Sequence, residues 1–199
     1  MYSSLRWRTA TLHHLSDEMA LSLPSELGFD WPIEDIRRIV SEQIVLVLPY
    51  RDFSDVEHLG QLVVHKVIAD QTRDVFEALF AGGFPIGSMI PVSAFGWSDE
   101  RSMAANNCVG FHFRKKTGED KDELSWHACG RAIDINPLQN PYQKDGIVLP
   151  WGARYDPIQP GTCSPDSLPV RLFRQVRASY GGDWTSLKDY MHFEFPLPP

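Results

Sequence analysis

The sequence predicts an α+β domain, a single unit in which a small antiparallel sheet has helices packed on one side. Three observations carry this. One stretch in the first half has helical spacing of its apolar residues. Two short segments with strict alternation, around residues 130–136 and 191–195, lie far apart in the chain, so their pairing needs a long-range return. A chain of 199 residues is long enough for one hydrophobic core and short for more than one domain.

Residues 1–40 read as an N-terminal arm or peripheral segment, polar and broken by Pro24, Gly28 and Pro32, which leaves 41–199 as the domain proper. The apolar run "IVLVL", residues 44–48, predicts a buried strand ended by Pro49. From Lys66 to Ala81, residues Val67, Ile68, Val75, Phe76, Leu79 and Phe80 recur at helical spacing, and Gly82 and Gly83 supply a C-terminal cap. "MIPVSAFGW", 89–97, reads as a strand with Pro91 at an edge or bulge. A short helix follows over 99–107. "GRAIDIN", 130–136, alternates, with Ile133 and Ile135 on one face and Ala132 and Asp134 on the other. Residues 137–163 hold five prolines and three glycines and read as a long irregular excursion. A second helix is expected over 168–180, closed by Gly181 and Gly182. "MHFEF" then alternates again, with Phe193 and Phe195 inward and His192 and Glu194 outward.

Composition narrows the classes of function. With 43% hydrophobic and 12% aromatic residues the chain is globular. A net charge of -7, with no basic run longer than "RKK" at 114–116, argues against a nucleic-acid partner. No apolar stretch is long enough to span a membrane. The N-terminus carries two arginines without an apolar run behind them, so no signal peptide is expected. Cytoplasmic residence and release by a non-signal route both remain open. The three cysteines, Cys108, Cys129 and Cys163, have no CxxC spacing and read as buried thiols rather than a disulfide framework.

The chemistry concentrates in two stretches, "SWHACGRAID" at 125–134 and "DYMHFEF" at 189–195. Together they present Asp134 and His192 on strand faces opposite the apolar residues, with His127 at the entrance of the first strand. Two imidazoles and a carboxylate suffice as protein ligands for a catalytic zinc, whose fourth position stays open. Asp189, three residues before His192, is placed to face a water at that position and to act as a base. Taken singly, each residue has an ordinary reading: a hydrogen-bonded histidine, a turn aspartate, a helix cap, an exposed strand glutamate. Their joint occurrence favours the metal site.

Ser125, His127, Gly130, Ala132 and Asp134, followed by Asp189, His192, Phe193 and Glu194, form the pair S-x-H-x-x-G-x-A-x-D and D-x-x-H-F-E. This pair resembles the signature of the zinc D-alanyl-D-alanine carboxypeptidase and L-alanyl-D-glutamate endopeptidase family, VanY- and VanX-like, which shares the hedgehog-type zinc peptidase fold. The resemblance covers about residues 88–195. It implies that His127, Asp134 and His192 bind zinc, that Asp189 is the general base, and that the substrate is a peptide, a peptidoglycan stem peptide in particular. It also implies an arginine upstream of the first zinc histidine to hold the oxyanion. Arg101 and Arg114 are both candidates. Arg114 is favoured, because alternation in "GFHFR" carries it in the direction of His112 and it lies nearer His127; solvated surface positions are the plain alternatives. Ser125 and Glu194 are candidates to support the metal ligands. Asn106 and Asn107 are candidates to bind substrate, or else simply end a helix. Two alternatives stand beside the peptidase: a non-catalytic zinc-binding interaction domain, as in hedgehog signalling proteins, and a phage-type lytic enzyme. A spare carboxylate at 189 disfavours the former.

Overall fold

Residues 15–23, 31–116 and 123–196 are described by the computed structural model. Two helices open it, α1 (Asp17–Ala20) and α2 (Ile33–Ser41). They bury Ala20, Ile36 and Ile39 against Val63, Phe111, Phe113 and Ala128, while the Gln61 amide both accepts from and donates to the Leu15 backbone at 2.8 Å. The described parts of the expected arm are thus packed on the domain; residues 1–14 and 24–30 lie outside the described residues.

Strand β1 (Gln43–Arg51) buries Leu46, Leu48 and Tyr50 at alternate positions and pairs antiparallel with β2 (Glu57–His65). Pro49 does not end β1 as expected. The two strands form their own sheet, so β1 has a free edge, where a residue without an N–H is tolerated. From Gly60 to His65 every residue of β2 is buried, because Leu62 and Val64 enter one core cluster and Val63 the other. Helix α3 (Ala69–Ala81) lays Ala69, Thr72, Val75, Phe76 and Leu79 on the main core after a short 3-10 turn at Lys66–Ile68.

The strand expected over 89–97 shrinks to β3 (Ser88–Met89). Pro91 ends it and starts a 3-10 turn, Val92–Phe95, because its fixed φ suits a first helical turn and it has no N–H for a ladder. Helix α4 (Asp99–Ala104) is capped by Ser98, and β4 (Asn107–Cys108) runs parallel to β3.

The excursion after residue 136 contains a hairpin, β6 (Tyr142–Lys144) and β7 (Ile147–Leu149), turning at Asp145 and Gly146, both with positive φ. Asp-Gly between strands is the signature of that two-residue turn. Helix α5 (Leu168–Gln175) stops before the expected residue 180, since Arg177 takes a positive φ and Ser179–Tyr180 leave as strand β8. Strands β9 (Lys188–Asp189) and β10 (His192–Glu194) complete the fold, together with β5 (Ala132–Asp134).

Two three-stranded sheets result, in the orders β5-β10-β8 and β7-β6-β9. The main core joins the first of them to α3 and α5: Ile133, Ile135, Phe193 and Phe195 are essentially inaccessible, and Phe193 stacks on Phe173 of α5 with ring centroids 4.1 Å apart. The architecture is α+β, with α3 and α5 on the core side of β5 and β10. The three cysteines are free thiols, Cys108 and Cys163 buried. No helix among the described residues is long and apolar enough to cross a membrane.

Candidate metal centre

Strands β5 and β10 pair with His192 opposite Asp134, Phe193 opposite Ile133 and Glu194 opposite Ala132. That register explains both alternations: one face carries the phenylalanines and isoleucines into the core, and the other sets His192 beside Asp134. On its far side, Asp134 exchanges two backbone hydrogen bonds with Val109, at 2.8 and 3.1 Å. The next residue, Gly110, thereby reaches His127.

His127 sits in a 3-10 turn, Trp126–Cys129, whose first backbone donor, His127 N–H, is accepted by the Ser125 hydroxyl at 3.3 Å. Gly130 closes the turn at φ +64, and a Cβ there would run into the Gln43 side chain and the His65 backbone. Its carbonyl accepts from His65 N–H at 2.8 Å. The motif glycine is therefore required twice, for its backbone angle and for the approach of β2. Gly110 is constrained likewise, since a Cβ would strike the Val63 carbonyl.

The ring geometry fixes which nitrogens face inward. His127 Nδ1 donates to the Gly110 carbonyl at 2.7 Å, and His192 Nε2 donates to Glu194 Oε1 at 3.0 Å. The opposite nitrogens, His127 Nε2 and His192 Nδ1, lie 3.1 Å apart and at 3.1 and 2.9 Å from the two Asp134 oxygens. Ligands held about 2.0–2.1 Å from a tetrahedral zinc stand about 3.3 Å from one another, so the spacing fits such an ion closely. All three residues are buried, and donor atoms converging in so dry a place could hold a metal ion. The pKa shifts reflect the same convergence. Burial raises the Asp134 carboxyl, but the two imidazoles outweigh it and hold it well below the usual range. Burial lowers His192, but its hydrogen bonds to Asp134 and Glu194 carry it up to about 10. The donor set, two nitrogens and a carboxylate with their outer N–H groups anchored, could hold a metal ion, and zinc is an ion that takes such donors.

Asp189 stands on the other three-stranded sheet, where β9 pairs with β6, Asp189 opposite Tyr142. Two residues, Tyr190 and Met191, turn the chain from that sheet into the next, so the D-x-x-H spacing spans the seam between them. Oδ1 of Asp189 is buried and finds no hydrogen-bond partner among the described residues. Burial and the Asp134 charge push its pKa up to about 7, against the pull of His192 and Arg114. A carboxylate oxygen without a partner and a raised pKa are the features a proton acceptor needs.

The remaining candidates divide. Glu194 and Ser125 touch the ligand histidines, as described. Arg114 is half-buried, with Nε 3.5 Å from Asp99 Oδ2 and Nη1 donating to the Lys115 carbonyl at 3.3 Å. It acts electrostatically on Asp189. The run 111–114 is extended but is not a ladder strand: Phe111 and Phe113 enter the second core cluster, and His112 and Arg114 both turn to Asp99. Arg101 is on the exposed face of α4. Asn107 is fully buried, and its amide serves the fold: Oδ1 accepts from Ile90 N–H and the Ser88 hydroxyl, and Nδ2 donates to the Ile90 carbonyl and Ser102 Oγ. Asn106 likewise joins Gln139 and Leu138.

Sequence reasoning overlooked Gly110, whose carbonyl orients His127, and the pair Asp99 and His112 beside Arg114. Asp99 reads as an ordinary first-turn helix carboxylate, so no local signal marks it. The Trp184 ring lies 5.5 Å from that of His192.

No curated protein and no solved structure matches the chain. A family model does, over residues 118–195, a segment that contains both motifs, the three converging side chains and Asp189 but neither Arg101 nor Arg114. The family legible in the two motifs is thus the one whose model matches that segment, D-alanyl-D-alanine carboxypeptidase.

Proposed function

We propose that the chain is a zinc-dependent metallopeptidase that hydrolyses D-amino-acid-containing peptides of peptidoglycan type, as a D,D-carboxypeptidase or an L-alanyl-D-glutamate endopeptidase. The observation that carries the reading is the convergence of His127 Nε2, Asp134 and His192 Nδ1, with the half-buried Asp189 nearby, whose buried Oδ1 has no hydrogen-bond partner among the described residues. The family match supports the peptidase class. His127, Asp134 and His192 would hold the zinc, which when bound polarises a substrate carbonyl and brings the pKa of water toward neutrality.

The chain's own residues have distinct tasks on this reading. Asp189 accepts a proton from the attacking water and returns it to the leaving amine, which its pKa near 7 suits. Glu194 and the Gly110 carbonyl hold the two imidazoles so that their lone pairs face Asp134. Arg114 offers a positive charge for the oxyanion that develops on the carbonyl oxygen.

Incubating the purified protein with muropeptides, with and without a chelator, and weighing the products by mass spectrometry tests this. Release of terminal D-alanine, or cleavage between L-alanine and D-glutamate, that stops with chelation is expected. Stoichiometric zinc without cleavage of any muropeptide would overturn the reading in favour of an interaction domain.

A further inference from the structure

Asp99 opens helix α4, yet it is not an ordinary solvated helix-start carboxylate. Its side chain is about one-third exposed and lies between two side chains drawn from the segment 111–114: His112 Nδ1 is 3.5 Å from Oδ1, and Arg114 Nε is 3.5 Å from Oδ2. His112 is itself buried, and its Nε2 donates to the Trp97 carbonyl at 3.2 Å, which turns Nδ1 toward Asp99. Both His112 Nδ1 and Arg114 Nε are buried and lack a hydrogen bond of good geometry among the described residues, and the Asp99 carboxylate stands 3.5 Å from each. With Nε facing Asp99 and Nη1 on the Lys115 carbonyl, the Nη2 edge of Arg114 has no hydrogen bond among the described residues.

We propose that Asp99 is a positioning residue, which with His112 holds the Arg114 guanidinium so that its free edge is presented to the reacting group at the metal centre. For the reaction this rests on the peptidase reading above; for the positioning it rests on the contacts alone. An arginine side chain has several rotatable bonds, and a guanidinium fixed along one edge loses less freedom when the other edge binds a charge. The charges of Asp99 and Arg114 both act on the Asp189 carboxyl, and that of Asp134 acts on Asp99, which puts the pair beside the site rather than on a remote surface.

Two measurements test this. In the first, kcat and KM are compared for wild type, Asp99→Asn, Arg114→Lys and the double variant, with zinc content and melting temperature recorded for each. Asp99→Asn is expected to lower kcat on the order of tenfold with little change in KM or zinc, and the double variant to be no slower than Arg114→Lys alone. Losses that multiply in the double variant would mean that Asp99 acts independently and would overturn the proposal, as would an Asp99→Asn enzyme of wild-type rate. The second needs no activity: the side-chain 15N–1H signal of Arg114 Nε. It is expected to be shifted and slowly exchanging in wild type and to move to the position of free arginine in Asp99→Asn. A signal indifferent to that substitution refutes the positioning whether or not the protein hydrolyses anything. Absence of hydrolysis by wild type sinks the peptidase reading while this second measurement still decides on Asp99. Should Asp99→Asn fail to fold, Asp99→Glu, which displaces the same charge by one methylene, serves in both experiments.

Discussion

His192 stands between two carboxylates, Asp134 at 2.9 Å and Glu194 at 3.0 Å, and each contact is made by a different ring nitrogen. Removing the ring should therefore remove the metal. His127→Ala and His192→Ala are each expected to lose most of the zinc that wild type carries after purification without added metal, as read by elemental analysis. Unchanged content in both would dismiss the ligand assignment. Asp189→Ala, by contrast, should keep its zinc and lose roughly a hundredfold to ten-thousandfold in turnover, because only the proton acceptor is gone. A rate within a few-fold of wild type would transfer that role to Glu194 or to the substrate. The two arginines separate in the same assay. Arg114→Ala is expected to depress turnover by roughly one to three powers of ten with zinc content intact, and Arg101→Ala, exposed on α4, to do little. The reverse pattern would assign the oxyanion to Arg101.

Among the elements, β10 carries the strongest coupling between packing and site. Phe193 is inaccessible and stacks on Phe173 and Tyr180, at 4.1 and 5.1 Å between centroids, while its neighbours His192 and Glu194 face the metal site. Truncating it should cost about 3–5 kcal/mol of stability and, through the register of β10 with β5, loosen the ligand set as well. Phe193→Ala is thus expected to melt earlier and to bind zinc more weakly. A variant of lowered stability but unchanged metal affinity would show that the register survives without the stack. The alternation in "MHFEF" and "GRAIDIN" made both strands legible in the sequence, since period two marks a strand with one buried face. The β6–β7 hairpin was missed although Asp145-Gly146 marks its turn, because the proline-rich neighbourhood made 137–163 read as irregular. The end of α5 was not legible, because Ser179–Tyr180 leave the helix only to pair with β10, a partner far from α5 in the chain.

At the scale of the whole molecule, the converging side chains come from a 3-10 turn, β5 and β10, and Asp189 from the second sheet, so a metal bound there would tie together segments that are otherwise held by packing. Binding that favours the folded state stabilises by mass action, about 4 kcal/mol at a thousand times the dissociation constant. Chelation should accordingly lower the melting temperature, and the gap between apo and loaded protein should narrow as pH falls, since ligands must be deprotonated to bind. Differential scanning calorimetry with and without chelator, between neutral and mildly acidic pH, reads both effects. A melting temperature indifferent to the chelator would mean that the site is not occupied in the folded protein.

The sequence by itself determined the family-bearing motifs, the two facing strands and the identity of the converging side chains. These follow from local spacing: alternation decides which side of a strand a residue takes, and glycine where φ is positive decides where a turn ends. Only the tertiary structure decided that Gly110 orients His127, that Asn107 serves the fold, and that Asp99 and His112 meet at Arg114. Those contacts join residues whose separations along the chain carry no period. Nothing local distinguishes a carboxylate that caps a helix from one that anchors an arginine, until packing brings the arginine to it.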